Sequence, residues 1–220
     1  MYALPGLTLG MLQADLAQAL AFAPPHLSIY HLTIEPNTAF AVRPPRNLPD
    51  DDLAYDMLDA ITRATHHTGL ERYEVSAYAR PGHACVHNRN YWEYGDYLGI
   101  GAGAHSKLSF PHRIVRQVRL RDPRRYMQQA LVGQALAQEH DVPHADLAFE
   151  YMLNALRLRQ GFALADFTAR TGLAAGSIEP ALRHAEEKGW IERDLHCVRP
   201  TVRGFDFLSD LQALFLPAHA

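Results

Sequence analysis

The chain has 220 residues, of which 48% are hydrophobic, and this length and composition predict a globular protein with one large or two small domains. Its formal net charge at pH 7 is −3, which gives no electrostatic reason to expect a nucleic-acid or anionic-membrane partner. Because Cys85 and Cys197 are its two cysteines, and because no segment resembles a signal peptide or a transmembrane helix, we predict a cytoplasmic location without a disulfide framework.

The first part of the chain alternates between helical and strand patterns. The predicted elements are a helix over 8–22, a strand over 27–34, a helix over 50–68 and a strand over 71–79. Thr8 is the predicted N-cap of the first helix, and Gly69 is expected to cap the second helix at its C-terminal end. A helix followed by a buried strand is typical of a βαβ unit, in which residues 2–3 would be the stub of the preceding strand. We therefore predict an α/β fold.

Segment 83–106 concentrates histidine, glycine and aromatic residues. Its sequence HNRNYW, at 87–92, brings an imidazole, two amides and two aromatic rings together in a short span. Its sequence GIGAGAHS, at 99–106, has glycine at alternate positions of a predicted strand, which indicates that a ligand or another strand approaches the backbone closely. A dinucleotide-binding loop is disfavoured, because the third glycine of GxGxxG is missing and a hairpin is predicted to follow instead of a helix.

The remaining segments divide the chain into two predicted domains. A hairpin is predicted over 107–110 and 113–120, and a helix over 123–138. From 146 onward we predict helices over 147–158, 163–171 and 176–188, a hairpin over 190–193 and 196–200, and a closing helix over 202–216. Three helices with a small β-wing are typical of a winged-helix domain. We therefore predict one domain over 1–145 and a winged-helix-like domain over 146–220.

Several motifs together suggest a family. They are LPG before the first helix, LSIYHLTIEPNTAF, YEVSAYARPGHACVHNRNYW, GDYLGIGAGAHS, FEYMLNALRLRQGF and a closing GWIE. These segments resemble the heme chaperones of the HemW type, the non-oxidase branch of the oxygen-independent coproporphyrinogen III oxidase family of radical SAM proteins. The resemblance implies the C-terminal part of a partial (β/α) radical SAM barrel, followed by a β-hairpin region and a winged-helix-like domain. Because the family's CxxxCxxC loop and glycine-rich SAM motif are missing, Met1 is expected to be an internal methionine of a longer protein.

The resemblance also implies a function and a set of site residues. The full-length protein is expected to bind heme and to transfer it to an acceptor hemoprotein, either free or membrane-associated, with S-adenosyl-L-methionine and a [4Fe–4S] cluster in a supporting role. His87, Asn88 and Tyr91 are the candidate heme-binding residues, with Trp92 as a second aromatic wall for the porphyrin. Thr33 is the candidate SAM contact. No catalytic residue and no metal ligand are predicted in this chain, since two cysteines cannot supply three thiolates.

Other interpretations of the same residues remain open. HNRNYW is also compatible with a structural role, in which Asn88 and Asn90 shape a turn while Tyr91 and Trp92 fill a core. Thr33 is compatible with a polar strand end. The arginines that could receive heme propionates are also compatible with a solvated hairpin face: Arg113, Arg116, Arg119, Arg121, Arg124 and Arg125. The alternative functions are a radical SAM coproporphyrinogen III oxidase and a winged-helix DNA-binding protein. DNA binding is disfavoured because residues 146–220 carry eight basic and ten acidic side chains.

Overall fold

The computed structural model describes residues 1–217, which divide into two compact units. The first unit is Met1–Cys85, and the second begins at Val86. Helices and strands are mixed in both units, as expected for the predicted α/β class. No helix within residues 1–217 combines the length and the apolar character needed to cross a lipid bilayer.

The first unit contains two long helices, one short helix and a three-stranded sheet. Its elements are α1 (Leu9–Ala21), β1 (His26–Ser28), α2 (Ala39–Val42), α3 (Asp51–His67), β2 (Glu71–Glu74) and β3 (Ala77–Ala79). The strand order is β1-β3-β2, and both pairs are antiparallel. Side chains from α1, α3 and the sheet form one hydrophobic core, which includes Leu12, Leu16, Met57, Ile61 and Tyr78. The predicted strand stub is present as a parallel bridge between Tyr2 and His31.

Local capping signals explain where the two long helices begin and end. The Thr8 hydroxyl accepts a hydrogen bond from the Met11 amide at 3.2 Å, which confirms Thr8 as the N-cap of α1. The Asp50 carboxylate accepts from the Leu53 amide at 2.9 Å at the start of α3. Gly69 follows α3 with φ +79°, a conformation that glycine adopts without a steric penalty.

Replacing Asp50 with alanine is expected to lower the free energy of unfolding by about 1 kcal/mol, because the first turn of α3 loses its side-chain acceptor. Urea unfolding followed by circular dichroism measures the change. Asp56→Ala is the control, since Asp56 is exposed on the same helix and caps no amide. An Asp50→Ala variant as stable as Asp56→Ala would contradict the assignment of the cap.

The strand predicted over 27–34 is shorter in the structure, and β1 has only three residues. Beyond β1, the backbone bonds go to different partners. The Ile29 amide donates to the Ser76 carbonyl at 2.7 Å, whereas the Leu32 amide donates to the Tyr2 carbonyl at 3.1 Å. The parallel neighbour on that side turns away at Ala3, whose φ is +56°, so the pairing stops after one bridge.

The single strand predicted over 71–79 is wrong, because this segment is a hairpin of β2 and β3. The Glu74 carboxylate accepts a hydrogen bond from the Ser76 amide at 3.0 Å, which closes a tight turn between the two strands. The pattern of alternating side chains continues across this turn, so the sequence alone contains no interruption that marks it.

The first part of the second unit contains a short helix and a second three-stranded sheet. Its elements are α4 (Val86–Trp92), β4 (His105–Phe110), β5 (Arg113–Arg119), α5 (Pro123–Ala130) and β6 (Leu136–Asp141). The predicted hairpin of β4 and β5 is confirmed, and β6 pairs antiparallel with β5 on its other side. The helix predicted over 123–138 is therefore wrong beyond Ala130. A turn that includes Gly133, with φ +74°, reverses the chain and starts the third strand.

The second part of this unit is mainly helical. Its elements are α6 (Leu147–Ala155), β7 (Phe162–Ala163), α7 (Leu164–Thr171), α8 (Glu179–Glu187), β8 (Ile191–Arg193), β9 (Cys197–Pro200), α9 (Val202–Asp206) and α10 (Leu208–Ala213). The third sheet has the antiparallel order β7-β9-β8. The closing helix predicted over 202–216 is two helices, because Phe207 leaves the helical region with ψ +38°. The core of the unit includes Tyr151, Met152, Phe167 and Leu182.

Candidate functional site

Helix α4 contains the motif HNRNYW and presents two different faces. His87 and Tyr91 are four residues apart and share one face. Their rings meet edge-on with centroids 4.8 Å apart, and the Tyr91 ring also contacts Tyr97 at 4.4 Å. The structure thus brings His87 and Tyr91, two of the three candidate heme-binding residues, into contact. The imidazole of His87 is exposed. The third, Asn88, is half-buried and forms no side-chain hydrogen bond within residues 1–217.

Trp92 belongs to the other face of α4. Its ring is covered by the Arg157 guanidinium, which lies 4.1 Å from the ring centroid. The Tyr91 and Trp92 rings are tilted by 54° with centroids 6.5 Å apart, so they do not form two parallel walls around one flat ligand. Both rings are half-buried rather than fully buried, so they do not simply fill a core.

The chain reverses immediately after α4, and Asn90 shapes the reversal. Its side-chain amide donates to the Asp96 carbonyl at 3.0 Å, and its own carbonyl accepts from the Gly95 amide at 2.7 Å. A Cβ at Gly95 would lie 2.1 Å from the Asn90 side-chain oxygen, so this position requires glycine. The reversal places Asp96 and Tyr97 beside the sheet formed by β4 and β5.

Lys107 anchors this reversal to strand β4. The side chain is buried, with the residue 1% exposed, and its ammonium donates to the Asp96 carboxylate at 2.9 Å, to the Tyr94 carbonyl at 3.0 Å and to the Ser109 hydroxyl at 2.9 Å. Burial lowers the pKa of Lys107, and the Asp96 carboxylate opposes that shift. Nothing in the sequence marks this lysine, because its position in an alternating strand resembles that of any solvent-facing lysine.

Glu150 on α6 is a second point of attachment. Its carboxylate accepts from the Arg116 guanidinium at 2.6 Å and from the Tyr94 hydroxyl at 2.9 Å. Arg116 also donates to the Tyr97 hydroxyl at 2.9 Å. Burial, together with the Glu150 carboxylate, raises the pKa of Tyr94. A continuous set of hydrogen bonds therefore connects α6, strand β5 and the segment that follows α4.

The arginines of the hairpin have individual partners. Besides Arg116, Arg119 donates to the Gly99 carbonyl at 3.2 Å, and Arg113 pairs with Asp141 at 3.5 Å. These three arginines support the interpretation of the basic segment as a hairpin face balanced by its own neighbours.

The glycine-rich sequence at 99–106 forms a turn that leads into β4. A Cβ at Gly99 would lie 2.2 Å from the His105 carbonyl oxygen, so the chain itself approaches this glycine. Gly101 and Gly103 have φ +112° and +72°, values that suit glycine in a turn. The interpretation of the whole segment as a strand is wrong, whereas the expected close backbone approach is confirmed at Gly99. Nothing in this geometry supports a dinucleotide loop.

Neither the residue considered for SAM binding nor the two cysteines belongs to α4. Thr33 is exposed in an irregular segment of the first unit. Cys85 lies in the first unit and Cys197 in the second, and both are unpaired thiols. Within residues 1–217, no three histidine, cysteine or acidic side chains are grouped so that they could hold a metal ion. The residues present therefore do not fit a [4Fe–4S] cluster, which needs thiolate ligands.

Comparison with known proteins places these features in a family. The profile of the HemN C-terminal domain matches residues 142–207. The heme chaperone HemW of Escherichia coli is 43% identical over 98% of the chain, and that of Haemophilus influenzae is 41% identical over 98%. The chain covers 56% and 55% of these two proteins, so it spans about half the length of the curated relatives it matches.

A solved structure shares the fold. Coproporphyrinogen III oxidase (HemN) from Escherichia coli, a radical SAM enzyme, superposes with a TM-score of 0.75 over 97% of this chain and 53% of that chain. Its sequence identity is 18%, so the similarity concerns the fold alone. Over the part of the heme chaperones that it matches, the chain belongs to the HemW family.

Proposed function

We propose that this chain is part of a heme chaperone that binds heme and transfers it to an acceptor hemoprotein. The observation that carries the proposal is the 43% identity, over 98% of the chain, to the Escherichia coli protein named heme chaperone HemW. S-adenosyl-L-methionine and a [4Fe–4S] cluster belong to the same proposal for the full-length protein, with Thr33 as the candidate SAM contact. A membrane-associated acceptor and a cytoplasmic location are also part of the proposal.

The face of α4 that carries His87 and Tyr91 is the proposed heme contact. An exposed imidazole can coordinate the iron, and an aromatic ring beside it can pack against the porphyrin edge. The edge-on contact with Tyr91 restricts the orientation of the imidazole before heme arrives. Asn88, on the same helix, is the third proposed contact.

Replacing His87 with alanine is expected to weaken heme binding about tenfold or more and to change the Soret band, because the iron loses an axial ligand. Titration of the 220-residue chain with heme, followed by absorbance, measures both effects. His112→Ala is the matched control, because His112 is an exposed histidine in the turn between β4 and β5.

Two outcomes of that titration would count against the proposal in different ways. An unchanged Soret band in His87→Ala, or an equal loss in His112→Ala, would exclude His87 as the ligand. A lack of saturable heme binding by the unsubstituted chain would contradict heme binding by this part of the protein.

We further propose the finer architecture that the resemblance implies. The parallel bridge of Tyr2 with His31, separated by helix α1, supports assigning the first unit to the C-terminal part of a partial (β/α) barrel. Helices α6, α7 and α8 with the sheet β7-β9-β8 support a winged-helix-like domain over 146–220, preceded by a domain over 1–145. The similarity to the oxidase HemN supports this fold without supporting its reaction.

A further inference from the structure

The second unit contains a cavity of about 410 Å³ on the side of α4 that carries Trp92. Its walls come from α4, α6, α7 and strand β7, and they include Trp92, Glu93, Tyr151, Phe162, Asp166 and Arg170. Pockets for small molecules have volumes of about 300–1,000 Å³ and combine apolar walls with a few polar groups. This cavity has both properties, and it does not include His87 or Tyr91.

Two hydrogen-bond donors in the cavity wall have no acceptor among residues 1–217. The indole N–H of Trp92 is buried without a partner. Tyr151 is 1% exposed, and its hydroxyl forms no hydrogen bond with the described residues. Buried tryptophan N–H and tyrosine O–H groups usually have a partner, so two unmatched donors on one cavity indicate a ligand with acceptor oxygens.

The Tyr151 ring is fixed by its neighbours. Tyr94, Phe162 and Phe167 meet it edge-on, with centroid distances of 5.6, 5.3 and 5.2 Å. Burial raises the pKa of Tyr151, and the nearby Asp166 carboxylate adds to the shift. The hydroxyl is therefore a neutral donor at physiological pH, held in one position at the cavity wall.

The charged groups around the cavity include both signs. Arg89 and Glu93 form an ion pair with each other. Asp166 and Arg170, on α7, are exposed, and neither forms an ion pair with any residue in the range 1–217. The Arg170 guanidinium and the Asp166 carboxylate at the cavity, together with the two unmatched donors, complement a ligand that has a carboxylate and an ammonium group. The aromatic walls complement an apolar side chain on the same ligand.

We propose that this cavity binds a free amino acid with a large apolar side chain. The ligand carboxylate accepts hydrogen bonds from Trp92 and Tyr151 and lies near Arg170. The ammonium faces Asp166, and the side chain packs against Phe162. This site is separate from the proposed heme contact, so either proposal can fail while the other holds.

Fluorescence of Trp92 tests the proposal with L-phenylalanine as the probe. The chain has two tryptophans, and Trp190→Phe leaves Trp92 as the single reporter. We expect a saturable change in emission with a Kd of about 1 mM or tighter. The matched ligands 3-phenylpropanoate and phenethylamine, which lack the ammonium and the carboxylate respectively, are expected to bind about tenfold more weakly or not at all.

Substitutions in the wall assign the contacts. Tyr151→Phe is expected to weaken L-phenylalanine binding about tenfold, because it removes the hydroxyl and keeps the ring. Asp166→Asn is expected to weaken the binding of L-phenylalanine but not that of 3-phenylpropanoate, which has no ammonium group. Arg183→Gln, on the exposed face of α8, is the control and is expected to leave the Kd unchanged.

Several results would overturn the proposal. They are a lack of saturable L-phenylalanine binding, equal affinity for all three ligands, and an unchanged Kd in Tyr151→Phe. If Trp190→Phe does not fold, as judged by circular dichroism, calorimetric titration of the unsubstituted chain and of Tyr151→Phe decides the same question.

Discussion

Replacing Gly204 with alanine is expected to lower the free energy of unfolding of the second unit by about 3 kcal/mol or more. A Cβ at this position would lie 1.7 Å from the Trp190 carbonyl oxygen, which is backbone and cannot rotate away. That carbonyl also accepts a hydrogen bond from the Thr201 amide at 2.9 Å. The Thr201 hydroxyl in turn accepts a hydrogen bond from the Gly204 amide at 3.0 Å. The added methyl group therefore forces the start of α9 away from the segment before β8.

Urea unfolding of Gly204→Ala against Gly176→Ala measures this steric effect. No atom lies within 4 Å of a Cβ built at Gly176, and its φ is not in the left-handed region. Alanine there is expected to be neutral or to stabilise the chain by about 0.4–1 kcal/mol, because it restricts the unfolded state. Equal stability of the two variants would show that α9 can move without cost, contrary to the expected result.

Replacing Lys107 with methionine is expected to cost about 2–4 kcal/mol of unfolding free energy. Methionine keeps most of the side-chain volume but removes three hydrogen bonds, including the ion pair with Asp96. The Tyr94 carbonyl then loses a donor in a buried position. Arg113→Gln is the control, because Arg113 forms an exposed pair with Asp141 and should cost less than about 1 kcal/mol.

The pH dependence of the Lys107→Met effect gives a second check. Burial raises the pKa of Asp96, but hydrogen bonds from the Ser109 amide and from Lys107 outweigh it and lower the pKa below the ordinary value. A carboxyl whose pKa is lower in the folded state stabilises the protein above its unfolded pKa, and this stabilisation is lost as the pH falls. The difference in unfolding free energy between wild type and Lys107→Met should therefore become smaller below about pH 4. A difference that is constant from pH 7 to pH 3 would contradict the ion pair.

The helices were the most predictable part of the fold, since their signals are local. Thr8 and Asp50 identify the starts of α1 and α3 through contacts three residues along the chain. The hairpin of β4 and β5 was predictable for the same reason, because a short turn joins two alternating segments. Strand β6 was missed, because its pairing with β5 depends on a distant neighbour and its own residues are exposed.

The candidate site was predictable only in part. His87 and Tyr91 meet because they are four residues apart on one helix, and the sequence contains that spacing. The contacts of Glu150 with Tyr94 and Arg116 join residues 56 and 34 positions apart, and no local pattern encodes such pairs. The cavity beside Trp92 likewise depends on how α4, α6 and α7 pack together.

The attachment of Glu150 has a consequence for local opening. Because its carboxylate joins α6 to strand β5 and to Tyr94, neither the hairpin sheet nor α6 can begin to separate without breaking these contacts and leaving a partly buried charge without its partner. These elements should therefore behave as one foldon in native-state hydrogen exchange, with similar opening free energies for amides in β5 and α6. The exposed strand β6, which lies outside this set of contacts, should exchange earlier.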